Sequence, residues 1–197
     1  MLGGKGLFVP AMWLRDTRLA CQMFMNCSYS DDARSAPISP WSVPMSLALS
    51  DSTLAGLAPG QILARGVCRH FMSLDFACVT ELVPTRGLRV DVMALGLKGE
   101  IWIVECKSSR ADFSSDSKWQ GYLEWCDRFF WAVDAAFPTE LLPAETGLMI
   151  ADGFDAQIMM MPPASPMSAA RRKVVTRIFG RTAASRLQAA RDPGSRQ

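Results

Sequence analysis

The chain has 197 residues, 49% of them apolar and 20% charged, with a formal net charge of +2. That is enough for one domain with a real core plus tails, and too apolar for a disordered or low-complexity protein. No apolar run approaches the ~18 residues needed to span a bilayer, so a cytoplasmic protein without membrane segments is expected.

Three further class exclusions follow from composition. The piece Gly6 to Leu14 is apolar, but it carries Pro10, runs into Arg15-Asp16 and lacks an Ala-x-Ala site, which argues against a secretion signal. Cys21, Cys27, Cys68, Cys78, Cys106 and Cys126 form no Cys-x-x-Cys pair and sit among apolar neighbours, so free thiols in a reducing compartment are expected. The single histidine, His70, falls among apolar positions and reads as packing. Chemistries built on a Ser-His-Asp triad or on paired histidines have almost nothing to work with.

The small net charge hides an asymmetry. Residues 1–57 balance, with four basic and four acidic residues; residues 58–167 carry nine basic and fourteen acidic; residues 168–197 carry eight Arg or Lys and one Asp. The middle is thus loaded with carboxylates and the tail is basic.

In chain order, residues 1–57 read as a poorly structured extension, since Asn26 to Pro44 is rich in Ser, Pro and Asp and has no sustained periodicity. Residues 1–44 are expected to be dispensable, with Met45 a candidate start. Order begins near Leu57. Pro59-Gly60 opens a helix in which Ile62, Leu63, Val67, Phe71 and Leu74 share a face. Three strand-like runs follow, Phe76–Val83, Leu88–Leu97 and Glu100–Lys107. They are joined by the short turns Pro84-Thr85-Arg86-Gly87 and Lys98-Gly99, which implies an antiparallel meander. A polar loop, 110–117, leads to a helix over Lys118–Asp127. A strand over Phe129–Val133 comes next, then two short strands, 147–151 and 157–161. Last is a basic helix over Ser168–Arg191, expected to break near Gly180. The order is αβββαβ, then a small β-pair and a basic helix: an α/β (α+β) fold with a mixed central sheet flanked by helices. The ordered domain is placed at 58–192, with 193–197 a tail.

The chemistry concentrates where the third strand ends. Ile101 to Val104 is an apolar, β-branched run that reads as a strand buried on both faces. It ends in Glu105-Cys106-Lys107, whose acid and base, two residues apart, point to one face. Glu-x-Lys by itself is weak; a chain this long holds about one such triplet by chance, and Asp116-Ser117-Lys118 in a polar loop is a comparable match. Context separates them. Asp91 sits inside the preceding strand and can approach Glu105 across the turn, and two close carboxylates repel unless a cation lies between them. Hard oxygen ligands suit Mg²⁺ or Mn²⁺, with Lys107 beside the ion to orient a water or stabilise charge on a phosphate. Glu81, one strand earlier, is a candidate third carboxylate. The same residues also read as edge-strand ion pairs, Asp91 with Lys107 and Glu105 with Arg89.

The αβββαβ order with Asp, a turn and Glu-x-Lys resembles the PD-(D/E)XK (restriction-endonuclease-like) nuclease superfamily. More closely, Arg89 to Leu95, Val104 to Ser109 with Ala111-Asp112-Phe113, Lys118-Trp119, Tyr122, Asp127-Arg128-Phe129 and Ala132-Val133 resemble the MmcB-like DNA repair proteins. Phe137-Pro138, Leu141-Leu142-Pro143, Gly147-Leu148 and Ala151-Asp152 extend the likeness over roughly 62–192. The resemblance implies a metal-dependent nuclease acting on DNA in repair, alone or with repair-protein partners; the alternative is a non-cleaving DNA-binding scaffold that keeps the fold. It implies Asp91 and Glu105 as metal ligands, Cys106 offering its backbone carbonyl and Lys107 as the catalytic amine. Lys118, Gln120 and Tyr122 are its candidates beside the scissile phosphate, with ordinary helix surface the alternative. The tail residues Arg171, Arg172, Lys173 and Arg177 are candidate DNA contacts, and Arg181 shares their spacing, though a solvated surface helix reads as well. No base-reading motif appears, which favours recognition of DNA shape or ends over sequence.

Overall fold

Pro59 fixes the start of the first helix, since its missing N–H is one that no helix of this kind would use at that position. Gln61 reaches back so that its Oε1 accepts the Ala58 amide. In this computed structural model, which describes residues 54–115 and 118–194, the helix α1 spans Pro59–Ser73. The strands β1 (Ala77–Thr85), β2 (Leu88–Leu95) and β3 (Ile101–Lys107) follow as an antiparallel meander. Gly87 and Gly99, both at positive φ, supply the tight turns between them. After β3 come a short helix α2 (Arg110–Ser115), a 3-10 segment over Trp119–Trp125, and β4 (Arg128–Val133). Strands β5 (Gly147–Ala151) and β6 (Ala156–Met160) lead to the long helix α3 (Ala169–Arg191).

The six strands form one sheet in the order β1-β2-β3-β4-β5-β6. The pairs β3/β4 and β4/β5 are parallel and the other three antiparallel, so the sheet is mixed, as expected. Strand β3 is interior, which explains its unbroken apolar run.

Two apolar clusters sandwich the sheet. On one face α1 contributes Leu63, Val67 and Phe71 against Val92, Val104, Phe130 and Met149. On the other, Val175 and Phe179 of α3 and Tyr122 of the 3-10 segment pack on Met93, Ile101, Ile103, Phe129 and Trp131. Gly66 lets α1 approach the β5–β6 turn closely: a Cβ there would stand 2.1 Å from the Asp152 carbonyl oxygen and 2.6 Å from that of Asp155. Arg65 and Arg69 fasten the same turn by donating to the carbonyls of Gly153 and Phe154.

Four local expectations are corrected. The stretch 110–117 holds the helix α2, capped by the Ser109 hydroxyl accepting the Asp112 amide while Asp112 accepts the Ser108 amide. The helix expected over 118–127 is a 3-10 segment, tight enough to lay Trp119 and Tyr122 flat on Phe129. Strands β5 and β6 belong to the main sheet and are not a separate pair. Helix α3 runs unbroken through Gly180, whose missing side chain meets nothing within 4 Å. The extension expected over 1–57 lies outside the described residues as far as 53; its described part is the turn at Leu54–Gly56 and Leu57.

Candidate active site

The antiparallel ladder between β2 and β3 pairs Val92 with Val104. One step further stand Asp91 and Glu105, and there side chains replace the ladder. The Asp91 amide donates to Glu105 Oε1 at 3.2 Å, and the Cys106 amide donates to Asp91 Oδ2 at 2.8 Å. Each carboxylate thus caps the neighbouring strand. Within one aspartate the amide nitrogen and Oδ2 are at most about 5 Å apart by bond geometry, so the two carboxylates lie within roughly 8 Å of each other.

The row extends to β1. Thr80 pairs with Val92 and Leu82 with Val90, which sets Glu81 opposite Asp91. The pairing register holds through Leu82 and Val90 and shifts only between Leu82 and Thr85, yet the alternation of faces breaks here in both strands. Val79 and Met93 face the α3-side cluster, and so do Leu82 and Val90 three residues on, where strict alternation would turn them away. Glu81 absorbs the break with a φ of +49°, a left-handed conformation rare for a residue with a Cβ. Distortions of this kind re-aim side chains, and they concentrate at functional sites.

Lys107, two residues past Glu105, is only 6% exposed, and Glu105 only 3%. The Lys107 ammonium lies 4.0 Å from Glu105 Oε2 and 5.7 Å from the centre of the Trp131 ring. Burial pushes the Asp91 carboxyl above its usual range; the Cys106 amide and Lys107 pull it back, while the charge on Glu81 adds to the rise. Burial also pushes the Cys106 thiol well up, so it stays protonated and only its backbone carbonyl is available as a ligand. The edge-strand reading is corrected in its setting and in the partner of Arg89. Arg89 Nε pairs with Glu81 at 2.7 Å, and β2 and β3 are interior strands.

Among the described residues no three His, Cys, Asp or Glu side chains converge into a closed metal cage. Mg²⁺ and Mn²⁺ need no such cage, because they take one or two carboxylates and keep waters and substrate phosphate as remaining ligands. Asp91, Glu105 and the Cys106 carbonyl are such an oxygen set, and the donors present fit a hard divalent cation. One more polar group is notable nearby. The Trp131 indole N–H is buried and has no hydrogen-bond partner among the described residues, a state that costs about 1–3 kcal/mol and suits an incoming acceptor.

The residues expected to touch DNA divide. Lys118 and Gln120 are exposed at the start of the 3-10 segment. Tyr122 is buried, its hydroxyl donating to the Arg89 carbonyl at 3.0 Å, so it is a packing residue and braces β2. Arg171 pairs with Glu124 at 2.6 Å and lies over the Trp125 ring. Arg172 is held by Asp127 and the Gly99 carbonyl. Those two arginines therefore fasten α3 in place. Lys173 and Arg177 are exposed, and with Arg181 they recur every fourth residue, one stripe along the helix. The residue that sequence reasoning passed over is Arg186, whose guanidinium donates to the carbonyls of Thr80 and Glu81.

The description "DNA repair protein MmcB-like" belongs to a family whose model matches residues 49–194. This chain belongs to that MmcB-like family. It is similar to a solved structure described as the SPO1766 protein of unknown function from Silicibacter pomeroyi, at 63% identity and a TM-score of 0.71. That match covers 72% of this chain and 97% of the other. No curated protein matches the chain. The MmcB-like match takes in every element of the sheet, the four residues Glu81, Asp91, Glu105 and Lys107, and α3. No helix among the described residues is long and apolar enough to cross a membrane.

Proposed function

We propose that this MmcB-like protein is a Mg²⁺- or Mn²⁺-dependent DNA phosphodiesterase of the PD-(D/E)XK class, working in DNA repair. The observation that carries the reading is the burial of Glu105 and Lys107 at the end of an interior strand, with Asp91 opposite. A buried acid and base are expensive, and exchange for apolar residues is often neutral or stabilising, so stability alone is a poor reason to keep them.

Asp91, Glu105 and the Cys106 carbonyl would hold the metal. When bound, such an ion polarises a phosphoryl oxygen and lowers the pKa of a coordinated water. Lys107 supplies a fixed positive charge where the phosphate gains negative charge in the transition state, or orients the attacking water. The Trp131 N–H is a second donor in the same neighbourhood. Lys173, Arg177 and Arg181 bind phosphates from α3 and offset the repulsion between DNA and the acidic row. Lys118 and Gln120 complete the surface on the 3-10 side. DNA is the partner this surface fits, and further repair proteins are partners in keeping with the family.

The experiment is incubation of pure protein with single-stranded, duplex, nicked and branched DNA, with Mg²⁺, Mn²⁺ or EDTA. Cleavage that needs the metal and disappears in Glu105→Gln supports the reading. DNA binding without cleavage on any substrate favours the scaffold reading, for which the lack of a third metal-ligating side chain converging with the two carboxylates among the described residues is the supporting observation.

A further inference from the structure

We infer that Arg186 is a positioning residue for the carboxylate row, linking the basic helix to the candidate metal site through Glu81. The inference rests on the metal-site reading above and adds a residue and a coupling that this reading does not contain.

Three observations converge on it. First, Arg186 lies on α3 in helical phase with the buried Val175 and Phe179; itself exposed, it reaches across to β1, while Lys173, Arg177 and Arg181 face away. Second, its two terminal nitrogens donate to successive carbonyls, those of Thr80 and Glu81, the Glu81 bond being 3.2 Å. Those carbonyls flank the left-handed backbone of Glu81, a conformation that persists only when the surroundings over-determine it. A planar guanidinium with several fixed donors is suited to holding two carbonyls at once. Third, the pairs Thr80–Val92 and Leu82–Val90 set Glu81 opposite Asp91, on the strand next to the two candidate metal carboxylates.

The consequence is a mechanical connection. Arg186 holds Glu81 in place; Glu81, paired with Arg89 at 2.7 Å, sets the third negative charge of the row. Without the clamp, Glu81 can relax toward ordinary strand geometry, and its carboxylate leaves Asp91. A cation bound by Asp91 and Glu105 then loses part of the field that favours it. Because the clamp hangs from the helix that carries the phosphate-binding stripe, occupancy of that stripe and occupancy of the metal site become linked, and any such linkage is reciprocal.

Mn²⁺ titration of the full chain, followed by calorimetry or by the free-ion spin-resonance signal, tests this without relying on cleavage. Relative to wild type, Arg186→Gln should weaken Mn²⁺ binding by about fivefold. Arg186→Lys, which retains a charged donor, should recover part of the loss and guards against a folding defect in the first variant. Glu81→Gln should weaken binding to a similar degree, and adding Arg186→Gln to it should cost nothing more, because both act through one carboxylate. A purely structural Arg186 would give an effect that survives in the Glu81→Gln background. Equal Mn²⁺ affinity in wild type and Arg186→Gln, or additive losses in the double variant, overturns the inference while leaving the metal site standing. A wild-type chain that binds no Mn²⁺, or binds it unchanged in Asp91→Asn, overturns the inference and the metal-site reading together.

Discussion

Arg172 grips Asp127 through two hydrogen bonds, of 2.6 and 2.8 Å, and the same guanidinium reaches the Gly99 carbonyl. Asp127 in turn accepts the amides of Ile101 and Met167, so one carboxylate joins the start of β3, the approach to α3 and the helix itself. Burial alone would raise the Asp127 carboxyl, but Arg172 and those amides hold it below its ordinary value. Arg172→Met should lower stability by about 2 kcal/mol, a fall of several degrees in Tm, because it leaves a largely buried charge without its cation. The sign with pH follows from the depressed value. Asp127 adds stability above its unfolded pKa, and that contribution is lost as pH falls through the folded one. The variant should therefore show a flatter decline of Tm on acidification. DNA affinity and its salt dependence should stay as in wild type; a clear drop in either would return Arg172 to the DNA-binding set.

Lys107 separates catalysis from binding. Lys107→Ala should leave Mn²⁺ and DNA affinity nearly intact and lower the cleavage rate by about 10²- to 10³-fold, as for the loss of one transition-state donor. Glu105→Gln should weaken Mn²⁺ binding and abolish cleavage. Unchanged turnover in Lys107→Ala would sink the mechanism.

The raised Asp91 carboxyl has an opposite pH signature to that of Asp127. A metal must displace its proton, so Mn²⁺ affinity should fall as pH drops below the folded pKa, with proton release on binding. In the metal-free protein the native state holds that proton to higher pH than the unfolded chain, so the group's contribution to stability is lost as pH rises through the folded pKa. Asp91→Asn should accordingly raise the metal-free Tm near neutral pH while abolishing the proton release seen on titration with Mn²⁺.

The stripe on α3 predicts a salt effect. Replacing Lys173, Arg177 and Arg181 with Gln should reduce the slope of log affinity against log salt for duplex DNA by roughly 2 to 3, close to 0.9 for each phosphate that is no longer neutralised. Tm should hold steady, since no hydrogen bond or ion pair ties these three side chains among the described residues. An unchanged slope would mean that DNA lies elsewhere.

Gly66→Ala should cost about 1–3 kcal/mol, because the new methyl meets two backbone carbonyls of the β5–β6 turn rather than a flexible side chain. Thermal unfolding measures it, and a neutral result would show that α1 can lift from the turn.

Much of this arrangement is legible in the residues themselves. Short turns at Gly87 and Gly99 dictate the meander, and the meander sets Asp91 opposite Glu105, so the core of the site follows from local pattern. What stays hidden depends on partners far apart in sequence. Arg171 and Arg172 read as free charges because Glu124 and Asp127, over forty positions away, are invisible to helical spacing. Tyr122 is a candidate beside the scissile phosphate only through the resemblance; its spacing with Trp119 and Cys126 already puts it on the apolar face, where the ring stacks on Phe129. Gly180 reads as a breaker, yet an exposed glycine within a long helix costs only about 1 kcal/mol and the packing of Val175 and Phe179 on the sheet outweighs it. The row's extension to Glu81 is half legible: its register follows from the meander, but the left-handed backbone that aims it depends on Arg186.

Strand order in the sheet follows sequence order throughout, and every ionisable residue of the row lies in the meander between Glu81 and Lys107. Pairings between neighbouring hairpins close short loops and form early, whereas β4 and β5 must return through longer connections before pairing in parallel. During synthesis the acids of the row are therefore brought together, with Arg89 and Lys107 beside them, before α3 has been made, and the basic helix docks last. A ribosome-bound chain ending before Ser168 would carry the acidic excess of residues 58–167, nine basic against fourteen acidic, with no basic helix to offset it, and completion of that helix is what converts the surface from one that repels polyanions into one that can receive them.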